Sequence, residues 1–154
     1  MIRKRCFENV GYFNEELRYS EDYDLWLRTA RYYNFGYVPQ VLAIHNMYAN
    51  RTSAIYSDEM IEAHLKIAVD SINKWGADWS KAERNNMLGY EYFIAGDSFF
   101  RGSKYNKAKR MYCLSLKKKF SVRTLVLYLL CFLPSRGIDI LRDGRRRMVA
   151  WKNP

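Results

Sequence analysis

Residues 19–33 read YSEDYDLWLRTARYY, and this stretch decides how the first third of the chain folds. Three carboxylates, Glu21, Asp22 and Asp24, stand at its front, and a compact apolar run follows. Ser20 is a natural N-cap, because its hydroxyl can accept from a first-turn N–H. Tyr23, Trp26, Leu27 and Ala30 recur at i, i+3, i+4 and i+7, the spacing of one helix face. Asn34 and Gly36 are stop signals. The pattern predicts a helix from Glu21 to about Tyr33. Acids in a first helical turn offset the positive end of the helix dipole by about 0.3–1 kcal/mol each, with no catalysis involved. A carboxylate held on a rigid element is also what a general base requires.

The chain around this stretch has 154 residues, room for one domain and a modest core. Hydrophobic residues make up 49% of it and aromatic residues 16%, which excludes disorder by composition. Cys6, Cys113 and Cys131 are widely spaced and odd in number, which argues against a disulfide framework and for a reducing, cytoplasmic setting. Met1 is followed by IRKRC and then by polar sequence, without the apolar core of a signal peptide. The formal net charge of +10 is unevenly placed. Residues 1–100 hold 11 Lys and Arg against 14 Asp and Glu; residues 101–154 hold 15 against 2. Such asymmetry points to an anionic partner, whether membrane, acidic protein or nucleic acid.

Before the decisive stretch, FENVGYFNEEL reads as a short helix and a loop, broken at Gly11. After it, FGYVPQVLAIHNMY reads as extended segments around Pro39, with Val38, Val41, Leu42 and Ile44 feeding a core. From Ser57 onward the pattern is helical. The first helix has a Ser cap and two acids, shares Met60, Ala63, His64, Ile67 and Ile72 on one side, and ends at Gly76. His64 on that apolar face reads as a satisfied core residue rather than a ligand. Helices from about Lys81 to Phe100 and from about Lys104 to Lys117 follow. Small and aromatic residues at Ala95, Gly96, Phe100, Tyr105, Ala108 and Tyr112 suit a tight hairpin, either a plain one or a single tetratricopeptide-like unit.

The segment FENVGYFNEELRYSEDYDLWLR resembles part of the family 2 glycosyltransferases of the GT-A fold. In that family VGGF(D/N)E is followed by (S)EDxDLWLR and then by G(Y/F)xxxxLxxYRxHxxxxS. The matching pieces are Val10 to Glu15, Ser20 to Arg28, Gly36-Tyr37, Val41-Leu42-Ala43 and Ser53. The resemblance covers about the first 55 residues. It implies a mainly α fold class: the C-terminal fragment of an α/β GT-A domain, followed by a helical, tetratricopeptide-like tail. The regions expected are 1–55 for the GT-A part, 56–120 for the helical hairpin and 121–154 for an apolar and basic tail.

It further implies that Asp22 is the general base of an inverting transfer from a nucleotide-sugar to a glycan or lipid-linked acceptor, with Glu21 shaping the acceptor site. Asp24, Trp26 and Arg28 are expected at the substrate, Asp24 and Arg28 as supporting residues and Trp26 either stacking on a sugar or buried in the core. The family's metal-binding histidine lies five residues before the serine of its last motif, which here is Tyr48. His45 is therefore the expected ligand only with the loop shifted by three residues; the alternative is a histidine bonded near a strand end. No Asp-x-Asp precedes Glu21 and no glycine-rich phosphate loop is present. The expectation is a chain that begins mid-domain, whose divalent metal, Mn or Mg, belongs to the complete enzyme and is not bound by this part alone. Its first 50 residues would normally pack on a sheet, so their apolar side chains are expected to be partly exposed or poorly ordered in this part alone.

SVRTLVLYLLCFLP carries an unbroken apolar run from Leu125 to Leu133, too short to span a bilayer, which takes about 20 residues. Lys117–Lys119 precede it; Arg136, Arg142 and Arg145–Arg147 follow. Residues 117–147 are expected to rest on an anionic membrane surface at the cytoplasmic face, with Leu125, Leu129, Phe132 and Leu133 toward lipid. Two readings compete with that: the same leucines packing as ordinary core, and the whole chain acting as a non-enzymatic helical adaptor for a membrane or an acidic partner. Nucleic acid is the least favoured partner, since no binding motif accompanies the basic residues.

Overall fold

Six α-helices and one 3-10 turn supply all the regular structure among the described residues, so the chain is mainly α. The computed structural model describes residues 2–44, 57–134 and 137. It divides into two compact units, Met1–Trp75 and Gly76–Pro154.

In the first unit, α1 (Lys4–Val10) stops at Gly11, whose φ of +75° lies where a side chain is strained. The expected central helix is present as α2 (Glu21–Tyr32), and α3 spans Asp58–Trp75. Met60 N–H donates to Ser57 Oγ at 3.1 Å, which provides the anticipated cap of α3. The core gathers Cys6 and Val10 of α1, Leu25 and Thr29 of α2, and Ile61, Ile67, Ala68 and Ile72 of α3. Burying a leucine such as Leu25 stabilises by roughly 1.5–3 kcal/mol. Thr29 sits in this core because its hydroxyl donates to Leu25 O at 2.7 Å and is left with no unmet donor.

Two expectations are corrected here. The buried face of α2 is not the stripe of Tyr23, Trp26, Leu27 and Ala30. Because α2 packs against both α1 and α3, burial falls on Leu25 and Thr29 instead, while Trp26 and Ala30 are exposed. Nor do the apolar residues after α2 feed a core; they are exposed, as expected for this part without the sheet it would pack on. Tyr37, Val41 and Ile44 are 88%, 91% and 87% exposed, and no strand forms there. An extended segment needs neighbouring strands to satisfy its backbone and cover its side chains, and no other strand lies among the described residues.

The second unit opens with a capping box. Ser80 Oγ accepts from Glu83 N–H, and Glu83 Oε2 accepts from Ser80 N–H at 2.8 Å. Helix α4 (Lys81–Arg101) and helix α5 (Tyr105–Lys118) form the expected hairpin, with bounds within about a residue of those read from the sequence. Its seam depends on Gly96, since a Cβ there would stand 2.8 Å from the ring of Tyr112, itself fully buried. Ala95, Phe99 and Ala108 fill the same seam, and Phe100 meets Tyr105 edge to face at 5.3 Å. Ser115 Oγ donates to Gly89 O at 2.7 Å and ties the far end. Helix α6 (Val122–Leu130) packs on α5 and buries Thr124, with Cys131 buried just beyond its end. No described helix is long and apolar enough to cross a membrane.

Candidate functional site

Helix α2 begins where the backbone at Ser20 takes the left-handed conformation, φ 60° and ψ 27°. A non-glycine residue adopts this region rarely and at a cost of order 1–3 kcal/mol. The turn also redirects the Ser20 side chain. Its hydroxyl makes no cap hydrogen bond to the first turn, contrary to the expectation from its residue type. Ser20 Oγ lies instead 3.4 Å from His64 Nδ1 on α3. The His64 ring stacks on Tyr23, with centroids 4.1 Å apart and planes 22° off parallel. Burial pushes the His64 imidazole below its ordinary value of 6.5, and the negative charge of Asp22 opposes that shift. Sequence reading placed His64 in a core and gave no sign of this neighbourhood, because Ser20 and His64 stand 44 residues apart.

The three carboxylates are placed differently. Asp24 pairs with Arg28 one turn along at 2.9 Å. The same guanidinium donates from Nη2 to Tyr12 O at 2.8 Å and from Nη1 to Val10 O. Arg28 therefore closes the end of α1 and the loop after it onto α2, and Asp24 holds the guanidinium in place. Both line an open cleft of about 520 Å³ together with Asn14, Lys66, Asp70 and Trp75. Asp22 and Glu21 are exposed on the first turn of α2. Asp22 Oδ1 accepts from the N–H of Tyr23 at 2.7 Å, which fixes the carboxylate at the positive end of the helix.

Trp26 stands apart from them. It is 39% exposed, meets Phe35 edge to face at 6.4 Å, and lines a separate open cleft of about 760 Å³ with Cys6, Tyr33, Phe35 and Tyr37. The structure thus joins Asp24 with Arg28, presents Glu21 and Asp22 to solvent beside the Ser20–His64 contact, and places Trp26 at another opening. His45 lies outside the described residues. Among the described residues no three His, Cys, Asp or Glu side chains are grouped to hold a metal ion.

No protein-family model matches the chain, and no solved structure matches it. A protein of Haemophilus influenzae (strain ATCC 51907 / DSM 11121 / KW20 / Rd) described as an uncharacterized glycosyltransferase is 33% identical over 70 residues. The match covers 43% of this chain and 22% of the relative, so the chain corresponds to about a fifth of that protein's length.

Proposed function

We propose that this chain is the acceptor-side part of an inverting family 2 glycosyltransferase of the GT-A fold, with Asp22 as the general base. The observation that carries the reading is the division among the three acids: Asp24 is paired with Arg28, which ties α2 to Val10 O and Tyr12 O, while Glu21 and Asp22 face solvent on the first turn. The similarity to the Haemophilus protein supports a glycosyltransferase in general. Asp22 takes the proton of an acceptor hydroxyl as that oxygen attacks the anomeric carbon of a nucleotide-sugar. The nucleoside diphosphate leaves from the opposite face, and the configuration inverts. A carboxylate suits this step because it is ionised near neutral pH and can sit at hydrogen-bond distance from the hydroxyl.

Glu21 borders the acceptor site, Arg28 and Asp24 hold α2 in position, and exposed Trp26 is available to a sugar ring. The divalent metal of the complete enzyme, Mn or Mg, would neutralise the leaving diphosphate, and its expected ligand on this chain, His45, lies outside the described residues. The donor nucleotide is bound by a part of the enzyme outside this chain. Titration calorimetry with UDP-, GDP- and dTDP-sugars in the presence of manganese is expected to show no binding to the 154-residue chain; a micromolar dissociation constant would overturn the reading. In a polypeptide that joins this chain to a nucleotide-binding half, Asp22→Asn is expected to lower turnover by about 10²–10⁴-fold with donor affinity retained. Glu21→Gln costs less. Near-normal turnover in Asp22→Asn returns both acids to a purely helix-stabilising role.

A further inference from the structure

We infer that the outer face of α6 is a docking surface for an anionic lipid bilayer, on which it lies without crossing. The inference concerns the second unit and stands independently of the glycosyltransferase reading. Val122, Val126 and Leu129 are 67%, 50% and 56% exposed, and Phe132 and Leu133 just beyond the helix are exposed as well. At about 100° per residue, positions 122, 126, 129 and 133 fall within roughly 60° of one another. Thr124 and Cys131, both buried, lie on the opposite side, where α6 packs on α5. The helix is therefore apolar on both sides, one against the hairpin and one uncovered among the described residues. This assigns the lipid face to Val122 and Val126 in place of Leu125, which is half-buried.

What surrounds the uncovered face identifies its partner. From Tyr105 to Pro134 the chain has seven Lys and Arg and no Asp or Glu. Lys117, Lys118, Lys119 and Arg123 are exposed at the entrance to α6, next to exposed Phe120. Lys109 Nζ sits 4.6 Å from the ring centroid of Phe132, so a cation also borders the other end. Five more arginines, Arg136, Arg142 and Arg145–Arg147, follow in the sequence against two acids, Asp139 and Asp143. An apolar strip flanked along its own stretch of chain by cations, with no acid from Tyr105 to Pro134, matches the boundary between acyl chains and anionic headgroups. Each cation near such a surface raises partitioning by about fivefold.

Flotation of the whole chain with vesicles tests this. Binding is expected to vesicles of equal parts phosphatidylcholine and phosphatidylserine, to weaken as salt screens the cations, and to be near absent with phosphatidylcholine alone. Val126→Asp with Leu129→Asp is expected to reduce binding by about tenfold or more, with helicity by circular dichroism unchanged because both side chains point outward. Leu129→Trp supplies a second reading: its added emission is expected to be quenched by bromine-labelled acyl chains. Failure to float, equal binding to neutral vesicles, or salt-sensitive binding that survives the double Asp variant each overturns the proposal. So does a concentration-dependent dimer abolished by the same variant, since the face would then belong to a second copy.

Discussion

At the scale of single residues, His64 offers the most direct test of the α2 terminus. Burial lowers its pKa in the folded state below the ordinary 6.5, and the Asp22 carboxylate pulls the other way. A histidine with a depressed folded value binds its proton more readily when unfolded. Its contribution to stability is therefore complete above about pH 6.5 and is lost as pH falls toward the folded value. Thermal unfolding is expected to show a falling midpoint between pH 7 and pH 5, and His64→Gln is expected to flatten that slope. The Glu83 carboxyl, held below 4.5 by its hydrogen bonds to Ser80, gives up its own stabilisation at lower pH than this window. The only other histidine, His45, can be replaced by Gln in the background. Asp22→Asn should then move the His64 imidazole proton resonance to a still lower titration midpoint. An unmoved midpoint would mean that Asp22 and His64 do not share one electrostatic environment. The Ser20 turn is what joins them: a serine in the left-handed region gives up its cap bond, and its hydroxyl reaches α3 instead. The Asp22 carboxylate meanwhile accepts from an N–H at the helix start, so the helix retains a stabilising anion there.

Among the elements, the α4–α5 hairpin shows how close packing and polar satisfaction compete. The Tyr112 ring rests on Gly96, and its hydroxyl is buried without a hydrogen-bond partner among the described residues. Desolvation drives the phenol pKa far above its usual value, so the group stays neutral across the working range. A buried, unmet hydroxyl costs about 1–3 kcal/mol. Tyr112→Phe is accordingly expected to leave the fold intact and to raise the urea midpoint; a clear loss of stability would show that the hydroxyl has a partner. Gly96→Ala tests the same seam from the other side. Helix propensity favours alanine by about 1 kcal/mol, but a Cβ at 2.8 Å from a rigid, enclosed ring forces the helices apart. Overpacking of this kind costs about 1–3 kcal/mol, so the variant is expected to be less stable than the parent. The hairpin was legible in the sequence because its signals are local: small residues face aromatics at helical spacing, and its two ends are marked. The face of α2 was less legible. Periodicity identifies which residues align along a helix, but the side that is buried depends on neighbours distant in the chain. Here α1 and α3 together chose Leu25 and Thr29 over the longer stripe through Trp26.

At the scale of the whole molecule, one large share of the uncovered apolar surface lies on and around α6 and another before residue 45. Tyr12, Phe13, Trp26, Tyr32, Phe35, Tyr37, Val38, Val41, Leu42 and Ile44 are all exposed there. The composition of residues 35–44 is that of strands with a core to join, yet no strand forms there and their apolar side chains are exposed, as expected of residues parted from the sheet they would pack on. Cover for them depends on other strands, which a local pattern cannot reveal. The two units should consequently differ in local stability. The first unit is held by three helices around a small core and by the Arg28 clamp. The second has a capping box, a close seam and a buried side-chain bond between its two longest helices. Amides exchange with solvent through local opening, and segments with few buried contacts open most easily. Hydrogen exchange is expected to be fastest at 33–44, intermediate in α1 and α2, and slowest in the middle of α4 and α5. Arg28→Met should accelerate exchange in α1 and leave α4 and α5 unchanged, because the lost bonds to Val10 O and Tyr12 O lie within the first unit. Protection at 33–44 equal to that of the hairpin would show that those apolar residues are already covered, and would remove the structural reason for assigning them to a larger glycosyltransferase fold.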